Sequence, residues 1–518
     1  MMAIEECVGG GTGGGTGGCS GCDCEEILLG GSSRVSSPSR RYIPRSPPRP
    51  RPSASSWRRS LQSKKVPTTT AWIFTLITLT LALLLSPAAA AEVVTFRNCT
   101  YTGKLLPASK AVTFADLTST TGSISWGASL DTKSMTTDDY VLSLGENRAP
   151  TILNVYFDAA HLEGGLNEPL NCQIAAAKAA GAILMLTIEP WDGLHKIDSV
   201  VTTYLARLCR DINDAGVGVF VRFAHEMNGD WYPWGARPGE YRDTYRAVAA
   251  AVKAAAENTA MVWAPNTGVG YPYDGAGKYL PTDTEGSRFK QMDTNRDGVL
   301  DEHDDPFGPY YPGDDVVDWI GISLYSKRDN RESDDRANKM DKRGPLNMYI
   351  NNPGTKFNIY EIYAKGKNKP FMIAETASAY YPDFPEGDGE VEVKRQWWRQ
   401  FWSPETLKDY PLLKATVWFE FSKTADTGEV RDYTITRKQA VLNAFLEDAG
   451  ATNAINFLDR VKQDLSGGTG GCACTQPGDL DGDGKPDKKK GVAAGVMVDR
   501  RLLLLGMSGV MAVVGGGF

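Results

Sequence analysis

Between residues 120 and 450 the chain carries eight short runs rich in β-branched and apolar residues, separated by longer stretches of helical character. The runs are SISWGASL from Ser123, TILNVYF from Thr151, AILMLTI from Ala182, VGVFVRFA from Val217, AMVWAPN from Ala260, VVDWIGISLY from Val316, PFMIAE from Pro370 and KATVWFEF from Lys414. Between them lie the Ala-rich NCQIAAAKAAG, the segment Lys196 to Asp214, the segment Glu240 to Glu257 and the Trp-rich VEVKRQWWRQFW. Such alternation is the pattern of βα units around a parallel sheet. Eight strands is the number that closes the sheet on itself. The fold class is therefore α/β, a (β/α)8 TIM barrel spanning about residues 97–460. Its fifth connection is long and holds an inserted segment, Tyr271 to Asp315, with a calcium-like loop between strands 5 and 6.

A barrel of this kind carries its chemistry at the C-terminal ends of its strands. Polar and aromatic residues gather there: Trp126, Asp158, Glu189, Trp191, His225, Glu226, Asn266, Tyr325, Glu375 and Trp418. The most informative run is VRFAHEMNGDWYPWG, residues 221–235. A zinc HExxH motif would need a second His at position 229, where Gly229 stands, and the chain has only four His. Three aromatics after a strand-end Glu suit a sugar instead, whose apolar face stacks on indole and phenol rings. Had Glu226 stood alone, Trp231, Tyr232 and Trp234 would read as lid packing. It does not, because Glu375 in KPFMIAETAS ends the seventh run. Glycosidic bonds are cleaved by a carboxylate pair, and strands 4 and 7 face each other across an eight-stranded barrel. Inward-pointing side chains at that rim would lie about 5 to 5.5 Å apart, the spacing of a retaining mechanism with a covalent intermediate.

The run HEMNGDWYPWG, preceded by Arg222 and followed in order by MVWAPN, SLY and MIAET, resembles glycoside hydrolase family 26 over about residues 120 to 450. The resemblance implies a clan A barrel in which Glu226 is the general acid/base and Glu375 the nucleophile. It also implies that His225 contacts the sugar, that Tyr325 hydrogen-bonds the nucleophile, and that Trp231 and Trp418 form stacking platforms. Arg222 is expected either to donate to Glu375 or to form a buried pair with a neighbouring barrel carboxylate, and Asn228 and Trp191 complete the candidate substrate-binding set. A general acid must keep its proton near neutral pH while the nucleophile stays ionised, so the two carboxyls need different surroundings. Family members act on β-1,4-mannans, mixed-linkage β-glucans or β-1,3-xylans, and β-mannan, the commonest of these activities, is the first expectation.

Within the fifth connection, DTNRDGVLDEHD places Asp293, Asn295, Asp297, Val299 (through its carbonyl), Asp301 and Asp304 at EF-hand positions 1, 3, 5, 7, 9 and 12, with Gly298 at 6. Position 12 is Asp rather than the usual Glu. A weaker run holds Asp479, Asp481, Asp483 and Asp487 but ends in Lys490. Calcium is expected to be structural, and no cofactor is expected for catalysis.

Residues 1–70 are Gly-rich, then Ser/Pro/Arg-rich, a composition that cannot bury a core. AWIFTLITLTLALLL and SPAAAA, residues 71–91, read as a signal peptide or signal anchor, although the basic flank is longer than a signal peptide normally has. Residues 465–490 read as a linker with the Asp-rich repeat, and 491–518, ending in LLLLGMSGVMAVVGGGF, as a hydrophobic tail with the parts of a lipid-anchor signal. Of nine cysteines, five follow Ala91, so at least one thiol is left without an intrachain partner. Residues 1–70 hold 10 basic and 5 acidic residues, which leaves 46 basic and 58 acidic residues in the rest, a net charge of −12. An acidic body argues against a nucleic-acid partner. The expectation is a monomeric, secreted or surface-held hydrolase of a polysaccharide. A non-catalytic wall-binding protein is the competing reading, disfavoured because it has no use for an acid and a nucleophile together.

Overall fold

The computed structural model describes residues 94–105, 108, 111–145, 147–159, 168–273, 278–327, 338–339, 345–425, 428–458 and 472–474. The expected N-terminal tail, the targeting segment, the second Asp-rich run and the C-terminal tail lie outside the described residues.

All eight runs are strands: β1 (Ile124–Leu130), β2 (Ile152–Asp158), β3 (Ile183–Glu189), β4 (Val219–Phe223), β5 (Thr259–Trp263), β6 (Trp319–Ser326), β7 (Phe371–Ser378) and β8 (Leu413–Glu420). Each pairs in parallel with the next, and β8 pairs in parallel with β1, which closes the barrel. A short strand, Ile455–Asn456, adds to β1 after the last helix.

Alternation along the strands sorts side chains into two cores. Ile152, Ile183, Met185, Phe220, Val262, Trp319, Met372, Ala415 and Val417 fill the barrel interior. Leu117 and Phe114, on the short helix Phe114–Ser119, join that core, with the Phe114 ring 4.8 Å from that of Phe220. The residues between them point outward under the helices. The helix Ser199–Asp214 shows the complementary logic. Asp198 caps it by accepting the N–H groups of Val200 and Val201, and Val201, Leu205, Leu208, Cys209 and Ile212 form its buried stripe.

In β7 the alternation is broken. Ile322 of β6 pairs with Ile373, but the next residue, Ser323, pairs with Glu375, and β8 registers the same extra residue between Thr416 and Trp418. Met372 and Ala374 face inward. Strict alternation would turn Glu375 out toward the helices; the bulge turns it back into the barrel mouth.

The stretch read as a linker contributes structure at Cys472–Cys474, which forms a three-stranded sheet with Thr95–Phe96 and Cys99–Tyr101. A disulfide joins Cys472 to Cys172 on the helix Glu168–Ala180, and Cys99 is also disulfide-bonded. The free thiol among the described residues is Cys209, buried under the helix that carries it.

The loop 293–304 is closed by its own amides. Asp293 accepts the N–H groups of Asp297 and Gly298, and Asp304 accepts those of Thr294, Asn295 and Asp301. Gly298 is in the left-handed region, as its position in the motif requires. Among the described residues no group of three or more His, Cys, Asp or Glu converges as a metal site.

Candidate active site

β4 ends at Phe223 and the chain then turns sharply, with Ala224 at φ 46° and Glu226 at φ 55°. Non-glycine residues occupy this region only when their surroundings hold them there. Ala224 N–H donates to Ile188 O and Glu226 N–H to Ala264 O, so the neighbouring strand ends supply that hold. The turn sets the Glu226 carboxyl into the mouth, 6% exposed, where Trp231 Nε1 donates to its Oε2 at 2.9 Å.

Glu375 accepts three hydrogen bonds. Arg222 Nη1 reaches its Oε2 at 2.7 Å and Tyr156 Oη the same oxygen at 2.9 Å, while Tyr325 Oη donates to Oε1 at 2.5 Å. Arg222 is wholly buried, and its Nη2 donates to Ser323 Oγ at 2.6 Å. Burial alone would raise the Glu375 pKa, but the Arg222 charge and the bonds from Tyr325 and Arg222 overcome it and bring it down to about 2. Glu226 goes the other way: burial first, then the Glu375 charge, push its carboxyl above the usual range, against opposing pulls from Arg222 and Lys327. His225, with Nε2 4.0 Å from Glu375 Oε2, is pushed down to about 3 by burial and by Arg222. It is therefore neutral at neutral pH, and Arg222 rather than His225 holds Glu375 ionised. Glu189, at the end of β3, is pushed up to about 7 by burial first, with Glu375 adding to the shift and the bond from Trp191 Nε1 opposing it.

The expected site residues divide into three groups. Glu226, Glu375, Arg222, Tyr325, His225 and Trp231 come together, and of the two expectations for Arg222 the donor to Glu375 is the one realised. Trp191 stands at the rim, 46% exposed, edge-on to Tyr232 and Trp234, and Trp231 is 37% exposed. Two expectations are corrected. Trp418 faces the helices, fully buried, stacked on Trp126 and donating from Nε1 to Tyr433 O, so it offers no face to a sugar. Its neighbours Phe419 and Phe421 take the mouth-facing positions, their rings stacked at 4.1 Å. Asn228 spends its amide on protein: Nδ2 donates to Asn266 O and to Tyr273 Oη, and Oδ1 accepts from Asn266 N–H. It clamps the β4 and β5 loops together.

Tyr156 was missed. The alternation Ile152, Asn154, Tyr156 along β2 signals its inward face, but no strand-end motif marks it.

Residues 194–283 match the model of glycosyl hydrolase family 26. Endoglucanase H of Acetivibrio thermocellus is 25% identical over 274 residues, which cover 52% of this chain and 25% of that protein. The chain thus matches about a quarter of the length of this relative. Among solved structures, an endo-beta-1,4-mannanase from Cellulomonas fimi aligns at 17% identity with a TM-score of 0.43, covering 68% of this chain and 76% of that one. The catalytic domain of an endo-beta-1,4-mannanase from Bacillus sp. JAMB-750 aligns at 18% identity with a TM-score of 0.42, covering 68% and 94%. The family match falls on the stretch that carries Arg222, His225, Glu226 and Trp231, on a closed barrel whose seventh strand presents a second carboxylate to them.

Proposed function

We propose that this chain is a retaining endo-glycosidase that hydrolyses a β-linked polysaccharide, with β-1,4-mannan as the first backbone. The supporting observation is that two buried carboxyls at the ends of β4 and β7 are pushed in opposite directions, Glu226 above the usual carboxylate range by burial and the Glu375 charge, and Glu375 down to about 2. Glu375 attacks the anomeric carbon and forms a glycosyl ester as Glu226 gives its proton to the leaving oxygen. Glu226, now a carboxylate, takes a proton from the water that cleaves the ester, which restores both groups. Tyr325, Tyr156 and Arg222 hold the nucleophile's oxygens in place. The half-exposed Trp231 and Trp191 are the stacking surfaces, and His225, neutral and buried, is the contact to a sugar hydroxyl.

The names of the relatives, an endoglucanase and mannanases, support both a mannan and a β-glucan as backbone. Secretion, attachment to a surface, a monomeric state and structural calcium at 293–304 belong to the proposal on sequence grounds alone.

The test is release of reducing sugar from mannan, mixed-linkage β-glucan and β-1,3-xylan by the wild type, Glu226→Ala and Glu375→Ala. Cleavage of one polymer, lost in both variants, is expected. Cleavage that persists in Glu375→Ala would overturn the assignment.

A further inference from the structure

Two ammonium groups stand at the barrel mouth without a carboxylate partner in any ion pair of the described residues. Lys327 leaves the end of β6, and its Nζ lies 4.7 Å from the centre of the Tyr325 ring. Lys423 sits on a two-stranded ribbon, Ser422–Thr424 with Val430–Asp432, that follows β8, and its Nζ lies 5.1 Å from the Phe419 ring. The rings of Tyr325 and Phe419 meet edge-on at 5.8 Å, and the Tyr325 hydroxyl is bonded to Glu375. Both charges therefore flank one aromatic surface, one ring away from the nucleophile.

The two rings attract these cations, but they do not neutralise them. Lys423 is directly opposite Arg431 in the ribbon, and like charges in that relation destabilise a strand pair. Arg431 is matched by Glu429 at 2.7 Å; Lys423 is not matched in this way. Catalysis gives no reason for them. Lys327 is close enough to Glu226 to favour its ionised form, which is the wrong form for a general acid. A neutral polysaccharide has nothing to set against two cations in a cleft, although the chain as a whole is acidic, at −7.

We propose that the subsite bordered by Lys327 and Lys423 receives a sugar unit bearing an anionic substituent, a uronate carboxylate or a sulfate ester. The substrate class is then an acidic β-linked polysaccharide. This inference rests on the glycosidase reading and narrows it. The two lysines bind and orient, and they take no part in the covalent steps.

The test compares three polymers of one backbone: β-mannan, β-mannan oxidised at C6 to the uronate, and chemically sulfated β-mannan. Binding is measured by affinity electrophoresis with the Glu226→Gln variant, which lacks the acid, and cleavage is measured with the wild type. At least one anionic polymer should bind about tenfold more tightly than the neutral one, with a preference that fades as salt rises. Which polymer it is identifies the substituent. The preference should vanish when Lys327→Met and Lys423→Met are added and persist with Lys327→Arg and Lys423→Arg. Equal or weaker binding of both anionic polymers, or a preference that survives the double Met change, overturns the inference. Cleavage of the neutral polymer without anionic preference removes this inference and leaves the glycosidase reading intact. Anionic preference in binding without cleavage of any polymer does the reverse.

Discussion

The guanidinium of Arg222 joins two neighbouring strand ends, with Nη1 on Glu375 Oε2 at 2.7 Å and Nη2 on Ser323 Oγ at 2.6 Å. Ser323 and Glu375 are register partners across the β6–β7 pair, so one planar group on β4 fixes both the position and the ionisation of Glu375. A lysine, with a single point charge, could not reproduce that fork.

Replacing Arg222 with Met leaves Glu375 buried without its cation. Loss of one partner of a buried pair costs about 3–5 kcal/mol, to be read from denaturant midpoints. The Glu375 pKa in the folded protein lies below its unfolded value, so its stabilising effect is present above the unfolded pKa and is lost as pH falls toward about 2. In the variant that depression is removed, and the acid limb of kcat/KM should move to higher pH. An unmoved limb would contradict the role given to Arg222.

The alkaline limb should belong to Glu226, with activity falling as pH rises through its elevated pKa. Part of that elevation comes from the Glu375 charge. In Glu375→Gln the charge is gone, so the Glu226 carboxyl carbon, followed by NMR, should titrate at lower pH than in the wild type. A titration at the same or higher pH would remove Glu375 as a cause.

Trp418→Ala should act on stability and not on the substrate. The ring is fully buried between Trp126 and the helix residue Trp398, and its removal should cost about 3–5 kcal/mol. Trp231→Ala, in contrast, removes a half-exposed ring that also bonds Glu226 and should raise KM and lower kcat with little loss of stability. Steady-state kinetics and denaturation of both variants check the contrast; a raised KM in a folded Trp418→Ala protein would restore Trp418 to the substrate surface.

The Cys172–Cys472 bridge closes a sequence separation of 300 residues. Cys472→Ser should lower the unfolding free energy by about 2–5 kcal/mol and leave KM unchanged, since the bridge ties the helix Glu168–Ala180 to the edge sheet and touches no residue of the site. Thermal melts with and without reductant, on wild type and variant, measure this.

The barrel was legible in the sequence because eight strands with helices between them leave few other closures. Glu226 and Glu375 were legible because strand-end carboxylates stand out against apolar runs. What alternation alone could not supply was the phase of each strand. Trp418 looked like a strand-end platform, but Ala415 and Val417 set the inward phase of β8, which turns Trp418 to the helices and gives the mouth to Phe419. Tyr156 lies inside a strand and so drew no notice. Asn228 belongs to the motif, yet its partners, Asn266 and Tyr273, lie some forty residues away along the chain, a distance no local pattern reports.

The extra residue in β7 and the bulge that absorbs it cancel in phase. Deleting Ala374 would remove the bulge against β6 and place Glu375 directly after the outward-facing Ile373, at the inward position opposite Ser323, so its carboxyl would still face the mouth. Descendants that lost one triplet at this point would keep both the aromatic groove and the inward carboxyl.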